Sequence, residues 1–357
     1  MTKKTRRAFP DFFYSKDSLA ERVTPLPLKN GTYFMLSVDE HQQQQDSNPS
    51  YYLPPYEDND DGMIDCLDVE DYEIVQTKYG KFMTSFYVPG PLQSVIIGTG
   101  GKKLRMLEDR TNTKIKVPKT NETGDVKIIG NNERTVASAR SQVALVVLTK
   151  REKLPVTHFI SIPMTSPEIQ KNFEKFRDEI LNGPKTRGIV PSVFQSPANL
   201  HLTLTMLMLL DEKEIEEARQ TLKICQQETI HKLFPRGQEH TIVVKGVEIM
   251  NDDPSDVHVL YGKIVQDEKL QQLADEIVSS FARKGFIKRQ YDKVKLHVTL
   301  MNSVFNKNKE TFDANDVLKK YENYYFGKTI FESVQLSIRF SFSSSGYYES
   351  ACTIPVL

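Results

Sequence analysis

Two short stretches of this chain alternate polar and apolar residues around a histidine. They read His201-Leu202-Thr203-Leu204-Thr205 and His297-Val298-Thr299-Leu300. Side chains alternate faces along a strand, so His201, Thr203 and Thr205 are expected on one face, with Leu202, Leu204 and Met206 on the other. His297 and Thr299 share a face in the same way, opposite Leu296, Val298 and Leu300. Each predicted strand shows a polar stripe where an ordinary core strand would show a second apolar one. Among seven histidines, roughly one H-x-[ST] match is expected by chance. Two matches inside alternating strands, in the same half of the chain, favour a functional pair over two histidines satisfied by backbone bonds at strand edges. His41, His158, His231, His240 and His258 lack that context and read as structural or exposed.

The rest of the pattern divides the chain in three. Residues 1–75 carry no sustained apolar period. Glutamines 42–45, the Asn48-Pro49-Ser50 turn and an acidic stretch read as a mostly irregular, polar segment. From Tyr79 the elements become compact: a strand over 82–88, a helix over 91–97, Gly98-Thr99-Gly100-Gly101, a helix over 102–110, and strands over 114–117 and 126–129. A helix follows, capped by Asn131-Asn132, with Val136, Ala139, Val143 and Val146 inward. That order, β-α-α-β-β-α, occupies 76–153. Residues 154–357 hold two similar halves. The first runs strand 157–163, helix 167–181, the His201 strand and helix 211–227. The second runs strands 241–250 and 257–265, helix 268–284, the His297 strand, helix 314–321, and strands 329–342 and 347–355. The fold class is α+β. Only residues 151–155 separate the two modules, with no Gly/Ser linker, so a fixed relation between them is expected.

Charge sharpens this division. Net charge is zero, yet residues 1–80 hold 8 Lys/Arg against 15 Asp/Glu, while residues 81–153 hold 14 against 6. A basic module of this kind suits a polyanion. The nine carboxylates between 57 and 73 could compete for that surface or dock on a basic partner, with Tyr51, Tyr52 and Tyr56 as anchors; a solvated tail is the plainer reading. Cys66, Cys225 and Cys352 form no C-x-x-C or Cys/His cluster, so no disulfide framework, zinc site or other cofactor is expected. No apolar run reaches the length of a membrane span. Lys3, Lys4, Arg6 and Arg7 are compatible with a nuclear address or with a solvated terminus.

The middle module resembles a type I KH domain. Val95-Ile96-Ile97-Gly98-Thr99-Gly100-Gly101-Lys102-Lys103-Leu104 matches that family's apolar-I-G-x-x-G-x-x-apolar signature. Glycines allow close approach to a nucleic-acid backbone, and the next helix offers amide donors to phosphate. Since Thr99 and Gly100 are not basic, phosphate attraction falls to Lys102, Lys103 and Arg105. Gly98, Thr99, Gly100 and Gly101 complete the expected nucleic-acid site. Residues 154–357 resemble the two-histidine (2H) phosphoesterase superfamily, which is bilobal and pseudo-symmetric with its histidines facing across a cleft. Three further segments, at 249–254, 294–302 and 321–327, narrow this to a family in which the two modules are directly joined. That resemblance implies a nuclear subunit of a helicase-containing complex linked to transcription coactivation and repair of alkylated DNA.

The resulting expectation is an RNA-binding, metal-independent phosphodiesterase. Single-stranded RNA is the expected ligand, with single-stranded DNA as the other nucleic acid it could hold. His201 and His297 would serve as acid and base, in an order the sequence leaves open. Thr203 and Thr299 would donate to the non-bridging oxygens. Tyr347 and Tyr348 read as strand-packing residues first and base-stacking residues second. The competing expectation is a non-catalytic subunit that uses the same cleft only to bind RNA or nucleotide.

Overall fold

The structure, a computed structural model, describes residues 72–119, 124–287 and 293–356, and the backbone of 23–28 and 31–36. His41, Cys66, the three N-terminal tyrosines and the acidic run as far as Asp71 lie outside the described residues. Within the first 52 residues, β1 (Val23–Leu28) and β2 (Gly31–Leu36) pair antiparallel from Val23↔Leu36 to Leu28↔Gly31. These twelve residues are a regular stretch within the segment read from the sequence as mostly irregular. Pro25 and Pro27 argue against a strand, yet the pairing of Leu28 with Gly31 leaves only two residues between the strands, the commonest hairpin spacing.

In the basic module, β3 (Val75–Gln76), β4 (Phe82–Phe86), β5 (Thr113–Lys116) and β6 (Val126–Gly130) form a sheet in the order β3-β4-β6-β5. Helices α1 (Gly90–Ile97), α2 (Lys102–Thr111) and α3 (Glu133–Arg151) complete the β-α-α-β-β-α order. Leu92, Ile96, Leu107, Ile115, Val126, Ile128, Val136, Ala139 and Val143 close its core. Asn132 caps α3 by accepting from the Thr135 amide. Val146, expected inward, is half-buried; the neighbouring Val147 packs on the core instead.

The C-terminal module is one eight-stranded sheet. Its strands are β7 (His158–Pro163), β8 (His201–Leu207), β9 (Thr241–Ile249), β10 (Val259–Ile264), β11 (His297–Asn302), β12 (Tyr325–Ile330), β13 (Ser333–Ile338) and β14 (Ser350–Pro355). The order is β12-β9-β10-β11-β8-β7-β13-β14, which puts the two histidine strands side by side at the centre. Helices α4 (Pro167–Leu181), α5 (Glu212–Cys225), α6 (His231–Leu233), α7 (Glu268–Arg283) and α8 (Asn315–Tyr321) complete it. The second half lends two strands to the first: β13 and β14 come from the end of the chain yet pair beside β7, in the first lobe. The expectation that both belong to the second half is thereby corrected. Sequence order gives no preference between sheet edges, whereas β7 needed an antiparallel neighbour to satisfy its outer amides.

A polar knot joins the two modules. Arg151, at the end of α3, donates to both Glu214 carboxylate oxygens at 2.6 and 3.1 Å and to the Met208 carbonyl at 2.8 Å. Glu214, only 7% exposed, also accepts from the Leu210 amide. Asp211 accepts from the Glu214 amide as the α5 cap, and from the Tyr87 hydroxyl and the Gly90 amide of the other module. One carboxylate thus serves helix N-termini in both modules. Burial first, and then Asp211, push the Tyr87 phenol up, which keeps it a donor.

Removing Glu214 would strand a guanidinium that has few alternatives. Glu214→Ala is expected to cost about 2–4 kcal/mol at this junction. It should split a single thermal transition in two and speed proteolysis near 152–156. One unchanged cooperative transition would show that the modules do not depend on this knot.

Candidate functional site

Strands β8 and β11 meet antiparallel at Val298↔Leu202. Residues opposite each other in a sheet share a face, so that one pairing turns His201, Thr203, His297 and Thr299 to the same, other face. The antiparallel offset sets His201 toward Thr299 and His297 toward Thr203. All four are half-buried. The structure therefore gathers the four residues singled out from the sequence onto one face of the sheet, the cleft face of the two lobes.

Each motif carries a β-bulge that alternation alone could not reveal. Ser161 pairs with Thr203 while Ile160 pairs with Thr205, so Leu204 is the extra residue in β8. Tyr261 pairs with Thr299 while Leu260 pairs with Met301, so Leu300 is the extra residue in β11. Past each bulge the faces exchange. Thr205 turns away opposite buried Ile160, and Met206, paired with Phe159, reaches the cleft face at 39% exposure. The expected face of Thr205 and Met206 is corrected on this ground. His and Thr of each motif lie before the bulge and keep their shared face.

Both imidazoles are held alike. His201 Nδ1 lies 2.6 Å from the Asn199 carbonyl and His297 Nδ1 lies 2.7 Å from the Lys295 carbonyl, two residues upstream in each case. A carbonyl only accepts, so Nδ1 carries the proton and Nε2 of the neutral ring is the basic nitrogen. Burial, aided by the nearby His297 charge and opposed by the Asn199 carbonyl, pushes the His201 pKa down to about 4. His297 is also lowered, by burial first and then by Lys295.

The two sides of the cleft differ. Beside His201 stand Phe159, with ring centroids 5.1 Å away, Tyr348 edge-on at 5.3 Å, and Pro163, its register partner. The Tyr347 hydroxyl is tied to buried Ser161 at 3.0 Å. Beside His297 stand its register partner Lys263 and Tyr261, whose ring lies 5.3 Å away under the Lys295 ammonium. One side is aromatic and the other cationic. Lys263, Lys295, Phe159 and Tyr261 were not singled out from the sequence, because strand register alone brings them to the histidines. A cavity of about 870 Å³ continues from Pro163, Gln335 and Tyr348 toward Lys328; neither histidine lines it.

In the basic module, Gly98, Gly100 and Gly101 all have positive φ. At Gly98 an added Cβ would come within 2.6 Å of Lys103 Cβ, so glycine is required there. Thr99 and Gly100 are exposed, as is Lys102 at the start of α2. Arg105 is exposed as well, but its guanidinium donates to the Gly100 carbonyl at 2.7 Å and braces the loop. A second cavity, of about 750 Å³, lies between α1, the residues Pro118, Lys119, Gly124 and Asp125, and Asp211–Lys213 of the C-terminal module.

This geometry defines a KH module joined to a 2H phosphoesterase-like domain. Comparison with known proteins agrees. The AKAP7 2′5′ RNA ligase-like domain matches residues 156–356, and the KH domain matches residues 83–144. Activating signal cointegrator 1 complex subunit 1 of Mus musculus is 33% identical over 324 residues, covering 83% of this chain and 90% of that one. A-kinase anchor protein 7 isoform gamma of Homo sapiens is 24% identical over 215 residues, covering 58% of this chain and 59% of that one. The solved structure of E. coli LigT complexed with 3′-AMP is 18% identical with a TM-score of 0.37, covering 57% of this chain and 95% of that one. The chain belongs to the AKAP7 2′5′ RNA ligase-like domain family, and within it to the family that includes the mouse cointegrator complex subunit.

The histidine environment makes a pH prediction. Between about pH 4 and 6.5 the unfolded chain binds a proton that native His201 refuses. Stability should therefore fall as pH drops through that window, and His201→Gln should flatten the fall. Nitrogen NMR should show both neutral rings protonated at Nδ1, with His201 titrating near pH 4. A His201 titration at or above 6.5 would contradict the buried, carbonyl-locked ring.

Proposed function

We propose that this chain binds single-stranded RNA and cleaves or trims phosphodiesters by two-histidine acid–base catalysis. The observation that carries this reading is the pair of imidazoles on one face of adjacent strands, each fixed through Nδ1 with Nε2 as its reactive nitrogen. His201, neutral across the physiological range, removes the proton from the attacking oxygen. His297 protonates the leaving oxygen once the phosphodiester's negative charge between the rings favours its charged form. Thr203 and Thr299 donate to the non-bridging oxygens as charge builds on phosphorus. Lys263 and Lys295 draw the phosphate to that side of the cleft. Suitable substrates are RNA ends and 2′,3′-cyclic phosphates, whose leaving and attacking oxygens are hydroxyl-type.

The KH module holds the strand through the exposed Gly98–Gly101 turn and Lys102 and Lys103, while Arg105 keeps the turn in shape. The name of the mouse relative supports work within a cointegrator complex. A nuclear location and a helicase-containing assembly with roles in coactivation and alkylation repair belong to the same proposal. Among the described residues no helix is long and apolar enough to cross a membrane.

Purified protein with end-labelled RNA and with 2′,3′-cyclic nucleotides tests the catalytic reading. His201→Ala and His297→Ala should each lower turnover about 10²–10⁴-fold without unfolding, and a chelator should have no effect. Thr203→Val should cost less, about 10–100-fold, since one donor to a charged oxygen is lost at nearly constant volume. Turnover unchanged in both histidine variants, or lost on chelation, refutes the mechanism. Binding without any turnover in the wild-type protein supports a purely binding cleft instead.

The KH reading has its own test. Gly98→Asp should weaken RNA binding by clash and charge. Reversing Lys102 and Lys103 should reduce the salt slope of log affinity by about 0.7 per lost phosphate contact. Affinity and slope indifferent to these changes would place RNA elsewhere on the protein.

A further inference from the structure

The segment between β13 and β14, residues 339–349, holds two phenylalanines that burial does not explain. Phe342 is 59% exposed and Phe340 is 77% exposed. Such rings normally fold inward or meet a partner. Phe340 also sits at φ 63, which is unfavourable for a bulky side chain. The Arg339 guanidinium lies over its ring, 4.4 Å from the centroid. A strained, outward aromatic with a cation on one face is a local outlier that the core does not require.

The segment is anchored over the cleft face of the first lobe. At its base the Arg339 amide donates to the Thr157 carbonyl at 2.8 Å. The Thr157 hydroxyl in turn donates to Leu209 of the connection that meets the KH module. At its tip Gly346 packs on Ala198, three residues before His201. Tyr347 is fixed to Ser161. Phe342 stacks on Tyr348 with centroids 5.8 Å apart and planes 29° apart, and Tyr348 meets His201 at 5.3 Å. One face of Phe342 is thus occupied while the ring stays largely exposed. The rings run from His201 outward, on the aromatic side of the cleft, from a loop rooted beside the module junction.

We infer that residues 339–342 form a nucleobase-stacking subsite for single-stranded RNA, with Phe342 as the platform and Arg339–Phe340 as its outer edge. The inference rests on the proposed function and adds to it a base-binding position next to the reactive histidines. The chemistry matches: every base offers a π-face, so a stacked ring grips a strand without reading its sequence. The division of the cleft matches as well, since phosphate is drawn to Lys263 and Lys295 and bases are left the opposite, aromatic side. A docking surface for another protein is the competing occupant. Continuity with Tyr348 and His201 favours the nucleobase, because a protein partner would have no need of that inward chain of rings.

The test uses the full chain carrying His297→Ala, so that the strand is held rather than turned over. Short oligouridylates bear 2-aminopurine, a base whose fluorescence is quenched on stacking, at each position in turn. Quenching is expected at one position near the end seated in the cleft. Phe342→Leu, which keeps an apolar side chain but no π-face, should abolish that quenching and weaken binding about tenfold, the scale of one lost stacking contact. Phe342→Trp should restore both. Replacing the quenched nucleotide by an abasic one should cost the parent protein the same tenfold and the Phe342→Leu protein little. Phe340→Ala should give a smaller loss. Equal abasic penalties in both proteins, or quenching that survives Phe342→Leu, would overturn the subsite and leave these rings to a protein partner. Absence of turnover in the wild-type protein would count against catalysis alone, since this readout needs only a bound strand.

Discussion

One backbone pairing, Val298 with Leu202, joins the two lobes of the eight-stranded sheet. The whole site depends on it. A one-residue slip in either strand would turn one histidine into the core and one leucine into the cleft. Leu202 and Val298 are fully buried beneath the pairing, so the hydrophobic core resists that slip. The apolar half of each motif thus fixes where its polar half points. Strands so placed need no long loop to bring the histidines together, and rigid elements hold chemical groups more closely than loops do.

The matching bulges at Leu204 and Leu300 show how far the pseudo-symmetry extends. Both halves break the ladder one residue after the threonine. This ends the polar stripe and returns the strand to ordinary packing. The symmetry stops at the neighbours. Pro163 and Phe159 flank one histidine, Lys263 and Tyr261 the other. Two like imidazoles thus stand in unlike surroundings, though burial lowers the proton affinity of both.

The strand that carries His201 ends at Leu207 and leads through Met208–Leu210 into the knot with Arg151, Tyr87 and Gly90. A shift of the KH module would therefore be felt at the end of a cleft strand. Asp211 also lines the groove beside α1. Its charge is absorbed by Tyr87, the Gly90 amide and the α5 N-terminus, so it supports the junction rather than repelling a ligand at long range.

Local pattern was enough for much of this. Alternation around His201 and His297 gave the strands, and the glycines at 98, 100 and 101 gave a turn that other residues strain to adopt. The residues 167–181 gave helix α4 to the residue, through a Ser166 cap, a proline at its start and an inward stripe of Ile169, Phe173 and Phe176. Such features follow from the backbone's own periods and from side chains a few positions apart, so a sequence carries them directly. Tertiary structure decided the rest. It chose the first lobe for β13 and β14, exchanged Thr205 for Met206 at the cleft and set Tyr348 against His201. It also set the proton affinity of His201, which sums the desolvation by every neighbour. These depend on strand register and burial between residues more than a hundred positions apart in several cases, and no local period records which distant partner a strand will meet.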